Sequence, residues 1–598
     1  MVGLALLLIL AYGEVVHGVF VWDDTYVVEK NLFIRDAGNL PDLLGPAYFD
    51  RAETGHYTRS GEQSYRPVVT LSHFLDHALF GRDPGGYHAM SLFYHWGACL
   101  ALAALLLALG LGRSATVAGT LLFALHPALS EAVIVVSYRE DILAAAAICL
   151  ALILHLRGRT GSATCAFLLG AFSKQSAVVF LPLVVAADWL RCREGASSAT
   201  GAFGAARRKQ GRAWVIYAIA SALYSWIVLV LLVDPAVGPA SYPGGSFASG
   251  IATSLRVLAR YVSLIVAPIG LQVDPHFPPS SGLSDPWALA SGAGLLLLVL
   301  AIARLLPPWP GRFLGLWFFI ALAPVAGLYP LPNYIAERYL YLPMMGVCGV
   351  AGWGFGWLVR RSRGERGASS VPWLALALIS AALVFVDRAR SSIVQSEEAF
   401  FREMIRTNPL SVKGHEGLGS ALFGQSRIDE AVRVWEQAVS LGPNSPIAHH
   451  NLGLAYLRQN RRVAALGVFN RALQLQPSFV ESRYQRAVLM REEGDASGAE
   501  TEQRRVLEIN PNFIPAKFQL AYLLDRRGDT SNAIALYQEI VAVHPGYAKA
   551  WKNLGVLHLN KLNDPDAAAV YFRHYLELVP GDPQRAMIQR VVDGTASR

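Results

Sequence analysis

Charge is scarce in this chain: Asp, Glu, Lys and Arg make up 16% of its 598 residues, against 53% hydrophobic residues. A soluble chain carries roughly a quarter charged residues, so the shortage implies a portion that lies in lipid. Cysteine is sparse too. Cys99, Cys149, Cys165, Cys192 and Cys348 all lie in or beside hydrophobic runs and form no Cys-x-x-Cys or His-Cys pattern, which argues against a disulfide framework and a zinc site. No Gly-rich nucleotide-binding loop is evident. Residues 2–12 are apolar but have no basic segment before them and no small-residue cleavage site after them. They read as the start of a membrane helix rather than a signal peptide. Glu14 and His17 interrupt that helix and are expected to face other helices rather than lipid.

Hydrophobic length is what the chain has in abundance. Runs of bilayer-spanning length or slightly less lie near 2–21, 88–110, 114–130, 140–156, 161–173, 175–190, 213–233, 286–304, 313–330, 336–359 and 371–387, giving eleven expected crossings. If the first runs outward, the basic connectors at Arg113, Arg157 and Arg159, Arg191 to Arg212, Arg304 to Arg312 and Arg360 to Arg366 all fall inside. The net charge of +8 is thereby explained by orientation rather than by a nucleic-acid partner. The apolar segment 251–268 carries Arg256 and Arg260 and precedes the Pro-rich Pro275 to Pro279, which suggests an interfacial or re-entrant helix on the outer side. The loop from Trp22 to Tyr87 and everything after Arg388 are then expected outside the cytoplasm. At 66 residues that loop is long for a structureless connection and is expected to be functional or partly helical.

After residue 390 the composition becomes ordinary and a period appears. Pro409, Pro443, Pro477, Pro511 and Pro545 follow one another at 34 residues, with Pro580 one residue late. That is the period of the tetratricopeptide repeat. Gly419, Gly453, Ala487, Ala521 and Gly555 hold one small position, and Ala431, Ala465, Ala499, Ala533 and Ala567 the other. Trp435, Phe469, Tyr537 and Tyr571 follow the alanines by four, with Gln503 breaking the aromatic series. The expected organisation is all-α: a transmembrane domain over 1–390 with an outer loop 22–87, a connecting helix over 391–411, five repeats forming an α-solenoid over 412–581, and a tail over 582–598. Stacked helix pairs form a concave surface suited to peptides, and Tyr484, Arg491, Phe518 and Tyr522 are the candidates for contacting an acceptor there. They also suit ordinary packing between repeats.

Several polar groups fall at outer helix ends, where ionisable residues in apolar surroundings are costly unless paired or functional. They are Trp22-Asp23-Asp24, Tyr65-Arg66-Pro67, His126-Pro127 with Glu131, Arg139-Glu140-Asp141, Ser173-Lys174-Gln175 and Glu337-Arg338-Tyr339. Paired acids at a membrane surface can serve as a general base, bind a metal or orient a sugar hydroxyl, and equally suit a solvated loop or helix cap. Arg139 and Lys174 also suit helix-end snorkelling.

The order Phe20-Val21-Trp22-Asp23-Asp24, Tyr65-Arg66-Pro67, Leu79-Phe80-Gly81 with Gly86-Tyr87-His88, Phe123 to Pro127 leading to Glu131-Ala132-Val133, Ser173-Lys174, and Ala336-Glu337-Arg338-Tyr339-Leu340-Tyr341-Leu342-Pro343 resembles the transmembrane and tetratricopeptide-repeat O-mannosyltransferases and their bacterial relatives, of the GT-C glycosyltransferase class. The resemblance spans both halves of the chain. It implies transfer of a sugar, mannose in the eukaryotic members, from a polyprenyl-phosphate carrier to Ser or Thr of proteins on the outer or lumenal face. By that resemblance Asp23 or Asp24 matches the first-loop acid that acts on the acceptor. The run Ser137-Tyr138-Arg139-Glu140-Asp141 departs from the family's Gly-Arg-Ala-Asp-like pattern, and Lys174-Gln175 from its Lys-Glu, which bears on donor or acceptor preference.

Elementary chemistry agrees. A hydroxyl attacking an anomeric carbon needs a carboxylate to take its proton, and a departing phosphate needs a cation. Arg338 is the first choice for the phosphate, because a guanidinium offers two parallel donors. Arg66, Arg139 and Lys174 are secondary choices, and His126, Glu131, Glu337 and Tyr341 would support the site. The reading requires no cofactor, although Asp23 and Asp24 could bind Mg²⁺ or Mn²⁺ with water. The expected partners are a lipid-linked donor, membrane lipid and an extracytoplasmic protein acceptor. The expected location is a bacterial inner membrane with periplasmic repeats, equivalent in topology to an endoplasmic-reticulum membrane with lumenal ones. A membrane-anchored scaffold without catalysis is the main alternative, but an anchor would not need the polar helix ends. A lipid-linked sugar transporter would spread such groups through the bilayer depth.

Overall fold

The computed structural model describes residues 2–44, 65–193, 198–228, 241–327, 329–331, 333–362 and 370–596. Part of the outer loop 22–87, the end of the run at 213–233 and the end of the basic connector Arg360 to Arg366 lie outside the described residues. Among the described residues all regular secondary structure is helical. Two compact units emerge, Met1–Gly414 and His415–Arg598.

In the first unit each of the eleven hydrophobic runs contains a helix. Their ends follow local chemistry. Asp83 and Asp285 cap the helices Pro84–Ala108 and Pro286–Leu305 through backbone N–H groups, each with proline at the first helical position. By length and composition six helices can cross a membrane, or seven if a bent pair counts as one span. Eleven crossings are therefore more than this criterion supplies. The helices Val2–Tyr12 and Thr160–Ala171 have 11 and 12 residues, reaching only about 18 Å at 1.5 Å per residue. Arg139–Leu156 carries Arg139, Glu140 and Asp141 in its first turn, and Ala199–Trp226 begins well before its apolar run and includes Arg207-Arg208-Lys209. Phe247–Val266, expected at the interface, is among the six. Its polar side is nevertheless tied to the following loop: Arg256 donates to the Pro278 carbonyl and Ser280, and Arg260 to the carbonyls of Ile269 and Gly270.

One helix pair positions the polar helix ends. The helices Arg113–Ala124 and Tyr341–Ser362 pack backbone to backbone. A Cβ on Gly352 would lie 2.3 Å from the Ala115 carbonyl oxygen, and one on Gly119 would lie 2.7 Å from that of Cys348. Small residues permit this approach in a membrane, where dispersion and packing replace the hydrophobic drive. Both helices are interrupted near the same region. The first breaks at Leu125 and His126, where the chain bends by 54° into Pro127–Ile134. The second is preceded by the single 3-10 turn Glu337–Leu340.

The second unit is the repeat solenoid, whose helix pairs run from Val412–Gly424 and Ile428–Leu441 to Ala548–Asn560 and Pro565–Leu578. Asp495, Asp529 and Asp564 cap the second helix of their repeats by accepting from N–H groups three residues on. A Cβ on Gly453 would meet the Phe469 ring at 2.5 Å, so glycine is what lets that aromatic seat against its paired helix. The fifth repeat departs from the periodic expectation. Its packing positions are taken by Ala568 and Phe572, buried to 0% and 3% exposure, rather than by Ala567 and Tyr571. The turn Lys561 to Asp564 contains one extra residue, with Asn563 at φ 52°, which shifts the second helix by one and accounts for the late Pro580. The stretch 582–598 includes a further helix, Arg585–Ala596, whose Ile588 and Val592 pack on Phe572 and Leu576. It covers the apolar end of the array.

Candidate functional site

The site grows from the two broken helix ends. Glu131, in the short helix Ser130–Ile134, is 1% exposed and accepts from the Arg338 backbone N–H at 2.8 Å and from its guanidinium at 2.8 Å. A carboxylate bridging backbone and side chain of one residue fixes the 3-10 turn that carries Arg338. The guanidinium carbon stands 4.1 Å from the Tyr138 ring centroid and 5.4 Å from that of Tyr339, within cation–π range. The Tyr138 hydroxyl donates to Asp23 Oδ2 at 3.3 Å. Asp23 and Arg338 therefore share one tyrosine.

Lys174 Nζ also lies near Tyr339, 5.5 Å from its ring. Lys174 also pairs with Asp141 at 2.5 Å and Glu140 at 3.2 Å, and Glu140 accepts from Arg66. Asp23, Arg338, Glu131, Lys174 and Arg66 are thus linked in one group. Tyr138, Tyr339, Glu140 and Asp141 complete it. Each stands in a run that the sequence singled out, but nothing in residue order showed that these would be the members that join this group.

The remaining expected residues lie elsewhere. Asp24 is fully buried, and its carboxylate accepts from the backbone N–H groups of Val21, Val136 and Ser137. Burial pushes the Asp24 carboxyl up to about 6, against those donors, which pull it down. It ties the Trp22-Asp23 turn, where Trp22 sits at φ 56°, to the segment that carries Tyr138. Arg139 is enclosed by Asp76, Ser72, Ser91 and the Tyr87 carbonyl, away from Arg338. His126 accepts from the Ala128 N–H and bonds the Ile265 carbonyl, stabilising the helix break. Glu337 pairs with Arg390 at 2.8 Å and accepts from the Gln272 N–H. The Tyr341 hydroxyl meets His95 Nδ1 at 2.6 Å inside the aromatic core. These five residues hold the frame around the site.

Within the solenoid, the expected groove residues occupy two neighbouring helices, Val480–Glu492 and Ile514–Arg527. The Arg491 guanidinium lies 5.7 Å from the ring of Tyr522, which is 37% exposed. Tyr484 packs edge-on to Phe513 at 5.5 Å, and Phe518 lies between Tyr537 and Tyr547. Tyr522 and Arg491 therefore form the accessible part, while Phe518 is largely packing. Among the described residues no three His, Cys, Asp or Glu side chains gather to hold a metal ion.

Comparison with known proteins bears on both units. The tetratricopeptide repeat model matches residues 416–478 and 518–583. A protein O-mannosyl-transferase of Caenorhabditis elegans, F38B6.6, is 23% identical over 72% of this chain, and the mouse protein O-mannosyl-transferase TMTC4 is 24% identical over 71%. The chain carries tetratricopeptide repeats and is similar over most of its length to the protein O-mannosyl-transferases. The chain spans 61% and 64% of the length of those two relatives. Human TMTC1 is 31% identical over a shorter stretch, 23% of this chain and 15% of its own. Solved structures similar to the repeats include YrrB, described as a TPR protein with an unusual peptide-binding site, at 19% identity and TM-score 0.27 over 32% of this chain and 97% of that one. Pseudomonas aeruginosa pilF is 20% identical with TM-score 0.30 over 36% of this chain and 95% of that one.

Proposed function

We propose that the chain is a membrane glycosyltransferase of the GT-C kind that moves a sugar, mannose by its relatives' names, from a polyprenyl-phosphate carrier to Ser or Thr of a protein outside the cytoplasm. The observation that carries this reading is the partly buried Asp23, whose carboxylate is held beside the Arg338 guanidinium through Tyr138. The acceptor hydroxyl oxygen attacks the anomeric carbon while Asp23 takes its proton. The bond from that carbon to the phosphate oxygen breaks, and its electron pair leaves with the phosphate, whose charge Arg338 neutralises, with Lys174 and Arg66 nearby. The products are glycosylated protein and polyprenyl phosphate. Purified protein incubated with a panel of polyprenyl-phosphate sugars and extracytoplasmic proteins, read by mass spectrometry, tests the reading. Absence of transfer from every donor, with Mg²⁺, Mn²⁺ or EDTA added, returns the chain to a scaffold.

The chemistry requires one orientation. In a cysteine-free background, single cysteines at Ser60, which lies outside the described residues, and at Ser497 are both labelled by a membrane-impermeant maleimide in intact spheroplasts. Protection of both until lysis would reject the assignment of loop 22–87 and the repeats to the periplasmic side.

The repeats then choose the acceptor. Tyr522→Ala removes the exposed ring beneath Arg491 and is expected to raise KM for a protein acceptor about tenfold, in the range of a lost aromatic contact. Transfer to a short Ser peptide stays within about twofold. An equal loss with both acceptors would remove the repeats from acceptor choice.

A further inference from the structure

Tyr138 links the two groups to which opposite halves of the transfer are ascribed. Its hydroxyl donates to Asp23 Oδ2 at 3.3 Å and its ring lies 4.1 Å from the Arg338 guanidinium carbon. It is 7% exposed, so both contacts are made largely out of water. Its own position is set from two sides. Asp24 accepts from Val136 and Ser137, the two residues before it, and Arg139, the residue after it, is locked by Asp76 and the Tyr87 carbonyl. The backbone that carries Tyr138 is thus held at both neighbours. In this arrangement the ring meets Arg338 while its hydroxyl meets Asp23.

We propose that Tyr138 is a positioning residue that couples acceptor deprotonation to donor phosphate binding: its hydroxyl aims and stabilises the ionised Asp23 carboxylate, and its face is the platform on which Arg338 is presented to the phosphate. The inference rests on the proposed glycosyltransferase function. The charged groups facing the pair are Asp24 and Glu131 around Tyr138, with Asp141 also acting on Arg338. All three are acids, and the Tyr138 hydroxyl is a donor to the Asp23 carboxylate among them. Burial holds the Tyr138 phenol well above its ordinary range, so it remains a donor throughout the working pH.

Two variants of the full-length protein in nanodiscs separate the two roles. Tyr138→Phe keeps the ring and deletes the donor. A hydrogen bond to the charged form favours ionisation, so its loss moves the acid limb of kcat/KM for transfer from polyprenyl-phosphate mannose to higher pH by about one unit, and affinity for polyprenyl phosphate stays within about twofold. Tyr138→Leu also deletes the platform and weakens polyprenyl phosphate binding about tenfold, as loss of a partly buried cation–π contact would. Phenylalanine at this position restores that affinity. An unmoved acid limb in Tyr138→Phe, or unchanged polyprenyl phosphate affinity in a folded Tyr138→Leu, overturns the inference while leaving the proposed function standing. Wild-type protein that transfers no sugar yet loses polyprenyl phosphate affinity on Tyr138→Leu, regained with phenylalanine, overturns the function and leaves the platform role supported.

Discussion

Asp23→Asn lowers sugar transfer by about two orders of magnitude or more, the scale of a removed general base, with the protein still folded and still binding polyprenyl phosphate. Asparagine keeps the shape of aspartate and can accept from the Tyr138 hydroxyl, but it cannot take the acceptor's proton. Asp24→Asn behaves differently, although the two residues are neighbours with the same side chain. Asp24 is fully buried and its two oxygens serve three backbone N–H groups. An amide presents one oxygen and one NH2 group, so at least one buried N–H faces another donor, at a cost of about 1–3 kcal/mol. Thermal unfolding registers that loss, and a folded fraction purified at low temperature retains transfer within about tenfold, a limit set by the displaced turn under Asp23. Parental rates in Asp23→Asn would remove this carboxylate from the chemistry and with it the proposed site.

The largest expected effect on stability falls at Asp76. Arg139 and Asp76 each have 0% side-chain exposure and face one another, with Ser72, Ser91 and the Tyr87 carbonyl taking other guanidinium donors. Asp76→Ala leaves that guanidinium buried without its counter-charge, which costs about 3–5 kcal/mol. In a chain of this size such a loss lowers the unfolding temperature by several degrees and sharply reduces folded yield. Asp76→Asn, which keeps an acceptor, falls between parent and alanine. The same experiment decides what Arg139 is for. If Asp76→Ala left unfolding unchanged and instead weakened polyprenyl phosphate binding, Arg139 would belong with Arg338 at the donor phosphate and not with the frame.

The surroundings of Arg139 show where residue order stops being informative. Arg139, Glu140 and Asp141 open one helix, and successive residues of a helix point about 100° apart. Three adjacent charged residues at one helix end therefore need not share their neighbours. Arg139 turns inward to Asp76, while Glu140 and Asp141 turn to Lys174 and Arg66. The sequence located the run as costly and worth attention, yet gave no sign of which member would meet Arg338's surroundings. Lys174 and Arg139 were equally plausible phosphate ligands for the same reason.

Periodicity is a different kind of information, because it repeats the same local problem until only one packing solves it. The 34-residue spacing, the small residues at Gly419, Gly453 and Gly555 and the aromatics opposite them determined the solenoid before any coordinates. Even the one-residue slip of the fifth repeat was written in the late Pro580. Hydrophobic runs likewise determined where helices form in the first unit, since the cost of burying an unpaired backbone group in lipid leaves little else. The number of crossings was less determined, because a run of apolar residues does not say whether its helix is long enough or where its charged first turn lies. Only the tertiary structure decided which helix ends meet. The glycine contacts between Arg113–Ala124 and Tyr341–Ser362 set Glu131 against Arg338 across 207 residues of chain, and the Asp24 carboxylate set Tyr138 beside Asp23 across 115. Such distances in sequence carry no local signal, because each of those side chains is an ordinary polar residue until the packing of its helix brings a partner within hydrogen-bond reach.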